Sequence, residues 1–252
     1  MIKDIKGIQD FELTEEKLKP LAVVRQNVNN KYLTFDSSMT AAEINNIITN
    51  TEHEVNLDKS LFLNFIPGTY NFTEPIWITG FRGRGFIHIY GEDTSADKGL
   101  RTDQATVINT RAIFMNNVFI IQANSVVNII LANMKFLFNS SNTSQCLYIA
   151  NNKADITILS SYIQGTNRNY GAKCVNVRDS KCSIRNTYVS STNYGLFADT
   201  AGLIDSYNVD DDTPEPKYGL LANGTGKICK IGGIQPSGEL ADEYEAWGGI
   251  IR

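Results

Sequence analysis

Tyr194-Gly195-Leu196-Phe197-Ala198-Asp199 is followed 24 residues later by Tyr218-Gly219-Leu220-Leu221-Ala222-Asn223, and preceded 24 residues earlier by Tyr170-Gly171-Ala172-Lys173-Cys174-Val175. One unit further back the spacing becomes 26, with Ile149, Ile158, Tyr162 and Ile163 matching Val175, Ile184, Tyr188 and Val189. Another unit back it is 28, with Val118, Ile121, Ile130 and Leu131 matching Cys146, Ile149, Ile158 and Leu159. A period that drifts by a few residues is what insertions in turns produce. Each unit carries short runs in which apolar residues alternate, such as Ile156-Thr157-Ile158, separated by Asn, Ser, Gly or Asp. None is long enough for a repeat helix. Strand, turn, strand, turn at this period predicts an all-β chain, a single-stranded right-handed parallel β-helix in which each unit is one coil. Matched positions then stack about 4.8 Å apart. On this alignment Cys146, Ala172, Leu196 and Leu220 form one inward column, and Tyr148, Cys174, Ala198 and Ala222 a second. The cysteines then serve as small apolar residues.

Strand signals continue upstream. Leu61 to Tyr70 reads as a strand running into a Pro67-Gly68 turn, and Pro75 to Ile78 and Phe86 to Tyr90 follow, each ended by glycine. Thr106 to Asn109 is the next run. The apolar end of such a solenoid needs a cover. Thr40-Ala41-Ala42-Glu43 has the form of a capping box, with Ile44, Ile47 and Ile48 on one face of the helix that follows. A short capping helix is therefore expected just before the first coil. Ala22 to Arg25 and Tyr32 to Phe35 read as a small hairpin. The chain divides into an N-terminal segment over 1–56, coils over 57–240 and a C-terminal cap or strand over 241–252.

Composition narrows the function. The 252 residues are 42% apolar and 20% charged, with net charge -4, ordinary for a soluble domain and no attraction to nucleic acid. The densest apolar run, Val126 to Ala132, is interrupted by Asn128, so insertion in a membrane is not expected. Met1 to Lys6 lacks the apolar core of a signal peptide. Four cysteines without a CxxC suggest neither zinc nor disulfides, and two histidines count against histidine-based catalysis. Ile and Asn are abundant, which fits many strands and many tight turns.

The order of a capping helix, Phe65-Ile66-Pro67-Gly68-Thr69-Tyr70, and then Ile76-Trp77-Ile78-Thr79-Gly80-Phe81-Arg82-Gly83-Arg84-Gly85-Phe86-Ile87-His88-Ile89-Tyr90-Gly91 resembles the opening of pectate-lyase-like β-helix proteins of phage and prophage tails. Trp247-Gly248-Gly249-Ile250-Ile251 is similar to C-termini of such proteins. The resemblance implies a tail fibre or tailspike-like component, a homotrimer that binds bacterial surface polysaccharide and joins other tail proteins. It also implies a place in the virion tail after synthesis in the host cytoplasm without a signal peptide.

Chemistry is less legible. Glycoside hydrolysis needs two carboxyl groups roughly 5–10 Å apart. Asp179 and Asp205 are the best-placed candidates, with Arg178 beside them, but the repeat alignment puts no two acids in one row. The acid pair and His-Gly motif of polygalacturonases, and the arginine context of pectate lyases, are missing. Asp210-Asp211-Asp212, read as an inserted turn, offers oxygen ligands of the kind calcium takes; no other cofactor is suggested. Gly80 to Gly85 lacks the ending and the helix of a phosphate loop. Tyr170, Tyr194 and Tyr218 are expected to stack at one corner, either as a surface for sugar rings or as cover for a turn. A non-catalytic tail component that binds glycan is the favoured expectation, and a glycan depolymerase on the same fold is the alternative.

Overall fold

The computed structural model describes residues 29–56, 59–92, 106–110, 119–122, 127–138, 145–166, 171–190, 192–212 and 214–252. Among these, every strand pairing is parallel. Each coil is a triangle of short strands. Face A stacks Lys31–Phe35, Leu61–Phe65, Phe86–Gly91, Asn128–Ala132, Asp155–Leu159, the first halves of Lys181–Ser190 and Leu203–Asp212, then Lys227–Gly232 and Ile250–Ile251. Face B stacks Gly68–Phe72, Thr106–Thr110, Lys135–Phe138 and Tyr162–Gly165 with the second halves of the two long strands. Face C has seven rungs: Ile76–Thr79, Phe119–Gln122, Gln145–Ala150, Lys173–Arg178, Tyr194–Asp199, Tyr218–Asn223 and Ala241–Ala246. The expected parallel solenoid is what this chain forms.

Its core consists of columns in which like residues repeat. On face A, Leu61, Ile87, Ile129, Ile156, Cys182, Ile204 and Ile228 are register partners in turn, and all are buried. On face C the inward columns are Leu147, Val175, Leu196, Leu220 and Ile149, Val177, Ala198, Ala222. This corrects the columns drawn from the sequence. The 24-residue spacing holds from Tyr194 to Tyr218, but Tyr194 pairs with Lys173, 21 residues earlier. Seven residues separate Gly165 from Lys173, whereas three separate Ser190 from Tyr194. Matching Tyr-Gly pairs across turns of unequal length therefore slips the register. For the same reason Leu131, not Ile130, partners Ile158.

Asn and Gly concentrate at the corners. Between faces A and B stand Asn133, Ser160, Asn186, Asn208 and Gly233, with φ of 59, 48, 48, 50 and 69°. This left-handed backbone favours Gly and Asn. Asn208 Nδ2 also donates to Asn186 Oδ1 at 2.8 Å, tying one coil to the next. Three of the cysteines are buried, and burial pushes the Cys174 thiol up to about 12.

Helix α1 (Ala41–Thr49) closes the N-terminal end, with the capping box of Thr40 and Glu43 formed and Ile44 and Ile48 buried. Asn45 fastens it: Nδ2 donates to Pro75 O at 2.8 Å, and Oδ1 accepts from Trp77 N–H at 2.9 Å. One side chain thus satisfies the open edge of the first face C strand. Lys31–Phe35 is not an arm of a hairpin but a strand parallel to Leu61–Phe65; the other arm lies outside the described residues. At the far end, the inward-facing positions opposite Leu220 and Ala222 hold Glu243 and Glu245, and Lys230 pairs with Glu243. Charge replaces apolar side chains there.

The glycine-rich segment after the first coil is a clamp. Arg82 N–H donates to His53 O at 2.9 Å, and Val55 N–H to Arg82 O at 2.8 Å. Gly83 has φ of 122°, and a Cβ there would lie 2.0 Å from Val55 O. Gly83→Ala is expected to cost about 2 kcal/mol, read as a lower denaturant midpoint with an unchanged slope.

Candidate functional site

The outer surface of face C carries two neighbouring columns. One runs Gln145, Lys173, Tyr194, Tyr218; the other runs Tyr148, Asn176, Phe197, Leu221, Tyr244. The Tyr194 and Tyr218 rings stack at 5.5 Å and 24°, and Tyr218 meets Tyr244 at 5.4 Å and 43°. The coil spacing of about 4.8 Å sets this separation. Lys173 takes the place expected for Tyr170, which lies outside the described residues. Its Nζ sits 4.8 Å from the Phe197 ring and 5.7 Å from that of Tyr194, and donates to Gly171 O at 2.9 Å. Burial lowers the Lys173 pKa, with Asp199 opposing the shift. Asn176 Nδ2 donates to Gln145 Oε1, while the buried Asn176 Oδ1 has no partner among the described residues.

A stacked ring offers its edge and its hydroxyl, not its face. Tyr194 is therefore a poor sugar platform in itself, and open aromatic surface lies on the last face C strand and the corner after it. Tyr244 is 48% exposed and Trp247 90%. Trp247 also has a φ of 52°, a conformation costly for a bulky residue. Burial does not hold it there. Neither residue repeats in the sequence, so no spacing pointed to them. Lys173 was hidden by the slipped register.

The candidate carboxylates lie on different elements, each beside a basic side chain. Asp179, with φ of 47°, occupies the corner between faces C and A, one of a column with Asn151, Ala201 and Gly224 that share positive φ. Arg178 Nε lies 3.7 Å from its Oδ2, both groups substantially exposed, where such a pair contributes little. Asp205 is on face A, with Lys181 Nζ 3.8 Å from its Oδ2 and 3.5 Å from Asp155 Oδ1. A lysine thus stands between Asp155 and Asp205. Asp179 keeps to its corner, where its partner is Arg178.

Asp210, Asp211 and Asp212 form no inserted turn. They continue a strand, partnered by Tyr188, Val189 and Ser190. Successive strand residues point to opposite sides, so the carboxylates of Asp210 and Asp211 diverge. Asp211 accepts from Ser237 Oγ, and Asp210 Oδ1 accepts from Asp211 N–H at 2.9 Å. Among the described residues no three His, Cys, Asp or Glu side chains gather to hold a metal, and no helix is long and apolar enough to cross a membrane.

Fold and surface together define a parallel β-solenoid with an aromatic outer face. Comparison with known protein families, with curated proteins and with solved structures finds no match to this chain. If Asp179 serves the corner, Asp179→Asn and Asp179→Gly keep stability within about 0.5 kcal/mol, while Asp179→Val loses roughly 1–2 kcal/mol. Thermal unfolding midpoints of the three variants check this.

Proposed function

We propose that this chain is a structural and receptor-binding component of a phage or prophage tail, and that it contacts bacterial surface polysaccharide along the outer surface of face C. The observation that carries the binding reading is the run of rings Tyr194, Tyr218 and, across in the neighbouring column, Tyr244, at 5.5 and 5.4 Å, with the exposed Trp247 at the corner that follows the last of these strands. The coil repeat of about 4.8 Å is close to the length of one pyranose residue, so a linear glycan lying along the axis meets equivalent hydroxyls at Tyr194 and Tyr218. Tyrosine and tryptophan suit this task because each joins an apolar body to a polar tip. The tail assignment rests on the sequence resemblance in the first coils.

The test is a surface-polysaccharide array read for binding and, in parallel, for new reducing ends. The wild-type chain is expected to bind without releasing reducing ends. Tyr244→Ala and Trp247→Ala, both at exposed positions, are expected to weaken binding about tenfold each without lowering the unfolding temperature. Unchanged binding in both variants contradicts the proposal. Reducing ends that vanish in Asp205→Asn would establish the depolymerase instead.

A further inference from the structure

The corner between face C and face A ends in glycine in three successive coils. Gly202, Gly226 and Gly249 N–H donate to Asp199, Asn223 and Ala246 O at 2.8, 2.9 and 3.0 Å, so one tight turn recurs. A Cβ on any of these glycines would lie 2.1 or 2.2 Å from a carbonyl oxygen of the preceding coil, that of Val177, Ala198 or Ala222. The residues just before them are small as well: Ala201, Thr225 and Gly248. Those just after, Leu203, Lys227 and Ile250, are register partners at the start of face A. A groove of about 560 Å³ results, lined by both sets. Its volume lies within the roughly 300–1,000 Å³ of small-ligand sites, and it spans two coil steps of about 4.8 Å. All residues of these three turns and of the strands they join are described, so the groove is open within its own coils.

Its polar groups are few and lack partners. Lys181, in the same column as Lys227, stands between Asp155 and Asp205. Lys227 instead has the apolar Leu203 and Ile250 on either side. It is exposed and makes no ion pair among the described residues, and no acid lines the groove. Thr225 Oγ1 accepts from Ala201 N–H at 2.8 Å, which leaves its own O–H to donate to a ligand. Trp247, the residue before Gly248, is 90% exposed, so its indole is open to the apolar face of a sugar.

We propose that this groove holds about two residues of an acidic glycan, with a sugar carboxylate against Lys227 and a ring against Trp247. The sign of the ligand follows from charge complementarity, since the one ionic group in the groove is a cation without a counter-charge. The inference rests on the glycan reading above, to which it adds the charge of the ligand and a second place of contact beside face C.

The probes are a hexamer of β-1,4-linked glucuronic acid and cellohexaose, which is the same chain with each carboxylate reduced to an alcohol. Trp77 and Trp247 are the two tryptophans of the chain, so a Trp77→Phe background makes Trp247 the sole fluorescent reporter. The uronate hexamer is expected to shift its emission to the blue and to bind about fivefold more tightly than cellohexaose, the upper range for an exposed ion pair. About 0.5 M salt should erase the difference. Lys227→Gln is expected to abolish the preference, and Lys227→Arg to keep it. The proposal is overturned if the two hexamers bind alike, if the preference survives Lys227→Gln, or if about 10 mM uronate leaves the emission unmoved. Should one of these results coincide with array binding that Tyr244→Ala weakens, this inference falls and the face C reading stands. An array on which nothing binds removes both.

Discussion

The structure depends on one constraint, the parallel register that binds each strand to the strand of the coil before it. Once Ile156 sits on Ile129 and beneath Cys182, every other inward residue of that coil is fixed, because a slip of one position would turn the apolar set outward. The core is therefore a set of columns instead of a cluster. Each column tolerates change in size, as at Ala198 and Ala222, and a polar member where it is hydrogen-bonded, as Ser206 opposite Ile184 donates to Gln235. The corners follow from the same constraint: a coil can return to register only if the chain turns sharply, and the turns take left-handed residues such as Asn133, Asn186 and Asn208.

A solenoid has two ends at which the register is unfulfilled, and this chain treats them by different means. At one, α1 covers the core and Asn45 supplies the hydrogen bonds that a preceding rung would have made to Pro75 and Trp77. At the other, Glu243 and Glu245 stand where the core columns would continue. Function on such a scaffold belongs to the outward-facing positions. These repeat with the coils, so they favour ligands that are themselves linear and repetitive. On the proposed reading, face C with its aromatic outer surface is where such a ligand lies.

Much of the fold was legible in the sequence, and the reasons are local. Thr40 and Glu43 made the capping box visible, and between these two coils faces A and B keep one spacing of 26 residues, so Tyr162 and Ile163 were matched correctly to Tyr188 and Val189. Face C was misread by two or three residues because the turn leading into Lys173 is longer than the one leading into Tyr194. The Tyr-Gly pairs that made the repeat conspicuous span that unequal turn. The same slip concealed Lys173 and its contacts with Tyr194 and Phe197. Asp179 drew attention as an acid, and its left-handed backbone, invisible in a sequence, adds a demand of the corner to that reading. Tyr244 and Trp247 belong to the final coil, whose role as an end changes its pattern.

The register of face C is tested most directly by disulfide trapping in a background where the native cysteines are replaced by alanine or serine. Arg178→Cys combined with Asp199→Cys joins register partners of adjacent rungs and is expected to cross-link on mild oxidation. Val175→Cys combined with Asp199→Cys, the pairing that a uniform 24-residue repeat demands, is expected to remain reduced. Cross-linking of the second pair and not the first would contradict the coil stacking described above.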